Sequence, residues 1–530
     1  MNKINAPVLK AMINDGAELA LLDVREDGQF GEGHLLFSNS LPYSVLESRI
    51  DARVPRRTTR IVLVDDTNGI AEKASARLEA CGYTDIAILE GGVAAWADAG
   101  YEVFKGVNVP CKAFGEVVEV TNHTPSISAE ELQAMFDAGD NLVVLDSRTP
   151  AEFTRMSIPN GVNVPGAELA YRVHDLAPSP DTLVVVNCAG RTRSIIGAQS
   201  LINAGIDNKV VALRGGTQGW VLAGLDLDHG ATAKYGDVTT EGMTKAKSVA
   251  ASVRERYGVE TIDRSTLDAW RSETDERTLY VFDVRDLSEY EEGHLPGAIA
   301  APGGQLVQGT DVWMATRGAR VVLTDDNGIR AAMTAHWLLQ MRWDVYVLED
   351  SVDMSELSAP ANNVLGLNSQ TIETIEPAAL AAELEAGTAV AVDVDLSLDY
   401  RKARLPGAVW AVRPLLPAAV NSLPTDRKIV LYSEHETRAR LAVIDARRAT
   451  DVPVLVLKGG REAWTAAGLP TETSPETPND ADCIDFLFWV HDRHSGNENS
   501  MRDYLAWEEQ LPAQIEADGD AQFQIPRPND

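Results

Sequence analysis

A chain of 530 residues exceeds one ordinary hydrophobic core, so several domains are expected, and 45% apolar residues suffice to fill them. A net charge of −32, spread along the chain with no basic stripe, argues against nucleic acid and against an anionic membrane surface as partners. No run approaches the roughly 18 uninterrupted apolar residues of a membrane span, and no apolar core of a signal peptide follows Met-Asn-Lys-Ile-Asn-Ala-Pro at the start. Cys81, Cys111, Cys188 and Cys483 lie far apart, in neither metal-type pairs nor a disulfide framework, so a reducing cytoplasmic location with no metal and no cofactor is expected.

Read from the N-terminus, the chain repeats one pattern. A β-like run ends in Leu22-Asp23-Val24-Arg25, a turn Gly33-His34-Leu35 follows, a second apolar run spans Ile61 to Asp65, and a helical pattern covers Ala71 to Ala80. A third run enters Glu90-Gly91-Gly92 with Trp96 just beyond. After a linker near 109–124, the second copy gives Leu145-Asp146-Ser147-Arg148, the run Leu183 to Asn187, a helical pattern from Ser194 to Ala204, and Arg214-Gly215-Gly216 with Trp220. A longer, helix-permissive linker runs from Ala231 to Gly258. The third copy carries Asp283-Val284-Arg285, Gly293-His294-Leu295-Pro296-Gly297-Ala298 and Val321 to Asp325, but has Glu349-Asp350-Ser351 in place of the Gly-Gly turn. The fourth shows Asp393-Val394-Asp395, Leu405-Pro406-Gly407-Ala408, Ile429 to Ser433, and Lys458-Gly459-Gly460 with Trp464. The tail opens with Ser-Pro-Glu-Thr-Pro, turns amphipathic and aromatic at Phe486 to Trp489 and Tyr504 to Trp507, and is expected to be a helical extension packing on a domain.

From the first Asp to the residue after the second run the interval is 43, 42, 43 and 41 residues, so the copies keep one internal plan. Each unit has the size of an independent domain. Strands alternating with helices predict α/β units, each with a mainly parallel sheet covered on both faces. The expected domains are 1–108, 124–230, 258–356 and 372–475, with 476–530 as a C-terminal extension.

The copies differ in chemistry after the second run. The second copy reads Asn187-Cys188-Ala189-Gly190-Arg191-Thr192-Arg193-Ser194, a strand entering a Cys, a short Gly-Arg loop and a helix. Loop amides and a helix N-terminus favour a thiolate, and Arg191 and Arg193 add positive charge that can hold an anion. Such a thiolate can attack a sulfane sulfur and store it as a persulfide. By the same spacing Asp66, Asp326 and Glu434 fall at the Cys position elsewhere, and a carboxylate cannot carry a persulfide, so those copies are expected to be inactive. Cys81 and Cys111 lack the loop and read as structural. Cys483 near His491 and His494 fits no standard metal spacing. His34, His294 and the Trp residues read as turn or packing residues.

These motifs in this order resemble the rhodanese family over nearly the whole chain, as four tandem rhodanese-like domains. The resemblance implies a persulfide on Cys188, the backbone of Ala189, Gly190, Arg191, Thr192 and Arg193 cradling the sulfur, and Asp146, Arg148 and Ser194 in support. It implies a thiosulfate sulfurtransferase, because basic loop residues accompany thiosulfate in that family, with a small anionic sulfur donor and a thiol or protein acceptor as partners. The second copy departs at its turn, Ile158-Pro159-Asn160-Gly161, where a changed surface loop is expected. Two rivals stand beside this reading. A Cys-dependent phosphatase or arsenate reductase needs an Arg six positions after the Cys, where Ser194 stands, and a non-catalytic sulfur-carrier or docking scaffold would explain the acid-substituted copies.

Overall fold

The computed structural model describes residues 2–349, 363–367 and 371–526. Asp350, Ser351 and the expected end of the third domain at 356 lie outside the described residues. The chain forms two compact units: Met1–Lys10, Ala20–Gly106 and Asn362–Phe488 hold the first and fourth repeats, while Ala11–Leu19, Val107–Ala361 and Trp489–Asp530 hold the second and third.

Each repeat builds its own parallel sheet. In the second, the spatial order of strands is Ser126–Ile127, Val210–Leu213, Leu183–Asn187, Leu142–Asp146 and Val162–Asn163. The third and fourth repeats follow the same order, and in the first Asn2–Ile4, Ile86–Leu89, Ile61–Val64, Leu19–Asp23 and Asn39–Ser40 pair likewise. The middle strand of the second repeat is an unbroken Val184-Val185-Val186 run, fully buried, as a strand covered by helices on both faces requires.

The Gly-Gly-x-x-x-Trp motif is one device used three times. Trp96, Trp220 and Trp464 are buried, and each indole N–H donates at 2.9 Å to a carbonyl six residues on: Glu102, Asp226 and Pro470. An indole can be buried fully only when its N–H finds such a partner.

Two segments differ from expectation. The first linker is a helix, Val109–Asn122, whose Cys111, Phe114 and Val118 are buried in the core of the third repeat. The C-terminal extension does not pack on one domain: its residues through Phe488 belong to the unit of the first and fourth repeats, and those from Trp489 to that of the second and third. The longer linker is helical as read, Thr240–Tyr257, closed by Gly258 at φ 64°.

Candidate active site

Cys188 directly follows the middle strand of its sheet, Leu183–Asn187, at the carboxyl edge where α/β sheets open to ligands. The helix Thr192–Ala204 begins four residues later, which puts Ser194 in its first turn. The Ser194 hydroxyl donates to Cys188 Sγ at 3.0 Å, and the Ser194 backbone N–H also faces the sulfur. Burial raises the thiol above its ordinary value, Arg193 and Ser194 pull it down, and Glu508 pushes it up. The balance leaves a protonated thiol at rest, beside groups that stabilise its anion.

The loop is held from below by the Gly-Gly turn. Thr217 donates its N–H to the Cys188 carbonyl at 2.9 Å and Gln218 to that of Ala189 at 3.1 Å. A Cβ on Gly216, at φ 55°, would stand 2.4 Å from the Cys188 oxygen, so only glycine lets the turn close on the loop. Asp146 and Arg148 form a buried pair in which Arg148 Nη2 donates to Asp146 Oδ2 at 2.7 Å and to the Met156 carbonyl at 2.7 Å. Arg25 and Arg285 make the same two contacts, to Asp23 with Gly33 and to Asp283 with Gly293. The divergent turn of the second repeat therefore keeps its anchor, with Met156 where the others have glycine.

Arg191 and Arg193 are not two cations open to a substrate. Arg191 is ion-paired to Glu116, Glu119 and Glu509, and Arg193 to Glu152 at 2.7 Å. Burial pushes the Glu152 carboxyl up, but the Arg193 hydrogen bonds and charge, with Thr149, win and hold it at about 2. Both arginines lock the loop to neighbouring helices, and Arg193 still acts on the thiol through its charge.

The groups that complete the site come from outside the repeat. A cavity of about 80 Å³ is lined by Cys188 to Arg193, by Lys112 of the first linker helix, and by Arg493, Tyr504 and Glu508 of the C-terminal extension. Lys112 is 6% exposed and its ammonium lies 4.8 Å from the ring centres of Tyr504 and Trp507. The Arg493 guanidinium stacks on Tyr504 at 3.4 Å. Burial brings Lys112 down to about 7, against the upward pull of Glu508. Glu508 accepts from Thr192 Oγ1 at 3.4 Å, while its second oxygen and both amide atoms of Gln218 have no hydrogen-bond partner among the described residues. Lys112, Glu116 and Glu119 share one helix face at i, i+4 and i+7, a signal present in the sequence. Nothing local ties that face to residues near 500.

The strand register corrects the alignment of the other repeats. Asp146 pairs with Asn187, and Asp23, Asp283 and Asp393 pair with Val64, Thr324 and Tyr432. The residues equivalent to Cys188 are therefore Asp65, Asp325 and Ser433, not Asp66, Asp326 and Glu434; the expected second strands of those repeats end one residue too late. Asp65, Asp325 and Ser433 are buried, whereas the side chains of Asp66, Asp326 and Glu434 are 44%, 41% and 57% exposed. The backbone N–H six residues on donates to each: Ala71 to Asp65 at 3.0 Å, Ala331 to Asp325 at 3.1 Å, Ala439 to Ser433 at 3.1 Å. The cradle is present in all four repeats, and among the four equivalent positions only Cys188 is a thiol.

Cys111 and Cys483 are buried and Cys81 is partly exposed, none of them in such a loop. Cys111 lies in a core, where burial pushes its thiol up to about 12, and the Cys483 thiol donates to the Asn479 carbonyl at 3.2 Å. His34 and His294 are buried and stack on Phe30 and Tyr290.

A family model described as rhodanese-like domain matches residues 5–99, 128–223, 265–354 and 376–467. A crystal structure described as thiosulfate sulfurtransferase from Pseudomonas aeruginosa is 45% identical, covers 99% of this chain and 100% of that one, and superposes with a TM-score of 0.95. A protein described as sulfurtransferase from Allochromatium vinosum is 29% identical over 101 residues, 19% of this chain and 92% of that protein. An HTH-type transcriptional regulator of Mycobacterium tuberculosis is 32% identical over 112 residues, 21% of this chain; the match spans 48% of the regulator's own length.

Proposed function

The chain belongs to the rhodanese-like family, with four copies of that domain in one polypeptide, and on that premise we propose that it is a thiosulfate sulfurtransferase acting through a persulfide on Cys188. The observation that carries this reading is the single thiol among four equivalent strand ends, held 3.0 Å from a hydroxyl donor and within the field of Arg193. Likeness along the whole chain to a protein described as thiosulfate sulfurtransferase supports the choice of donor.

The Cys188 thiol loses its proton to water and the thiolate attacks the outer sulfur of thiosulfate. A bond forms between Sγ and that sulfur, the sulfur–sulfur bond of the donor breaks, and sulfite leaves with the electron pair. The backbone of Ala189, Gly190, Arg191, Thr192 and Arg193, with Ser194, surrounds the terminal sulfur. A thiophilic acceptor, whether cyanide in an assay, a thiol or a protein thiol, then takes that sulfur and returns the thiolate. Asp146 and Arg148 hold the strand end and the turn behind it. The four cysteines are free thiols, which fits a cytoplasmic setting.

Incubation with thiosulfate should add one sulfur atom to the peptide containing Cys188, and cyanide should remove it as thiocyanate. Folded protein that gains no mass overturns the reading. Thiosulfate should give the higher kcat/KM against 3-mercaptopyruvate; the reverse preference removes it as the donor.

A further inference from the structure

We infer that Lys112, from the helix ahead of the second repeat, and Arg493, from the C-terminal extension, form the subsite that holds the anionic end of the sulfur donor. The inference rests on the reading of Cys188 as a sulfur-transfer thiol. Both cations line the same cavity as that thiol. Arg191 and Arg193, the nearer cations in sequence, are already matched by carboxylates. Among the described residues neither Lys112 nor Arg493 is in an ion pair: Lys112 faces the rings of Tyr504 and Trp507, and Arg493 Nε donates to His494 at 3.2 Å. Glu508 faces both cations without pairing to either, so two buried cations share one opposing carboxylate, and a small oxyanion entering the cavity supplies the second negative charge.

The size agrees. About 80 Å³ holds a few water-sized groups, enough for a sulfonate head beside the thiol. The aromatic shelf fixes where the cations sit, since an ammonium or guanidinium is attracted to a ring face. Glu508 opposes an anion while ionised. Burial raises its carboxyl, so an entering dianion favours the protonated form, whose free oxygen becomes a donor.

Lys112 faces Glu508, Arg493, Asp311 and Cys111, and burial holds it at about 7. Its charge is present below that value and fades above it, so the anion is held best on the acid side. The thiolate forms on the alkaline side. Donor KM should therefore rise with pH while thiol reactivity also rises.

The test compares the alkylation rates of Cys188 by iodoacetate and iodoacetamide, the same reaction with and without a negative charge. In the parent protein at pH 6.5 the iodoacetate-to-iodoacetamide ratio should exceed that of a free thiol by about 10-fold, the worth of one charge-assisted contact, and should fall toward it by pH 8.5. A parent ratio equal to that of a free thiol overturns the subsite without any variant. Lys112→Met and Arg493→Met should each lower the ratio and raise the KM for thiosulfate about 10-fold or more with a smaller change in kcat, and Lys112→Arg should restore much of both. An unchanged KM in folded Lys112→Met, with the parent enzyme active, overturns the subsite alone. A parent with no thiosulfate activity overturns the functional reading instead, and the alkylation ratio still decides the subsite.

Discussion

The hydroxyl of Ser194 lies 3.0 Å from Cys188 Sγ, and the backbone N–H of the residue six positions on is aimed at the corresponding side chain in every repeat. The same loop thus donates to a carboxylate in two repeats, to a hydroxyl oxygen in a third, and to the Cys188 sulfur in the second. Removing the Ser194 hydroxyl subtracts one donor to the anion. Ser194→Ala should shift the pH profile of iodoacetamide alkylation further alkaline and lower kcat more than it raises KM. A profile that stays in place would mean the hydroxyl does not touch the reactive form.

Cys188→Ser should abolish turnover and leave the fold intact. Serine is close to isosteric, and Ser433 already occupies the equivalent cradle, with the Ala439 N–H on its oxygen. Replacing Cys81, Cys111 and Cys483 together by Ala or Ser should leave thiocyanate formation unchanged per folded molecule. Thiocyanate production by folded Cys188→Ser would place the chemistry elsewhere.

The corrected register names the position to restore in the first repeat. Asp65→Cys in the Cys188→Ser background should yield an alkylatable thiol and no sulfur transfer above background. The loop Asp66-Thr67-Asn68-Gly69 has no arginine, and Asp66, paired to Arg25 at 3.0 Å, puts a negative charge beside the thiol. Appreciable turnover would show that a thiol in the bare cradle suffices.

Gly216→Ala tests the buttress. The added methyl meets the Cys188 carbonyl at 2.4 Å and forces a positive φ on a non-glycine residue. The cost should be about 1–3 kcal/mol, read as a lowered Tm, with a fall in kcat because the displaced atoms belong to the loop itself. Gly205→Ala, at φ 70° with open space around it, should lower Tm with no effect on kcat.

The Arg193–Glu152 pair should appear in acid stability. Glu152 titrates in the folded chain at about 2, below its unfolded value, so the folded state binds fewer protons and the pair contributes above about pH 4.3 and loses its contribution as pH falls toward 2. Glu152→Gln should be less stable than the parent at pH 7, with the gap closing between about pH 5 and pH 2. The effect is modest, because the Glu152 side chain is 37% exposed. A gap that does not vary with pH would assign the loss to packing.

The sequence made the four-fold repeat legible because the Asp-ending strands, the Gly-Gly turns and the Trp anchors are all local, and it made Cys188 legible because a strand, a loop and a helix start lie within a dozen residues. It misplaced the equivalents of Cys188 by one because Asp65, Asp325 and Ser433 each directly follow the last paired residue of a strand, and composition alone does not mark where strand pairing stops. It read Arg191 and Arg193 as free since their carboxylates, Glu116, Glu119, Glu152 and Glu509, are 41 to 318 residues away. Lys112 and Arg493 escaped notice for the same reason: long-range contacts carry no periodicity.

The dependence on Tyr504, Glu508 and Arg493 has a consequence for the timing of synthesis. The loop of Cys188 leaves the ribosome on the order of 300 residues before those side chains are made, tens of seconds at about 5–20 residues per second. Until then the nascent second repeat carries its thiol in a half-built enclosure, open on the side that the last helix, Glu498–Asp518, finally covers.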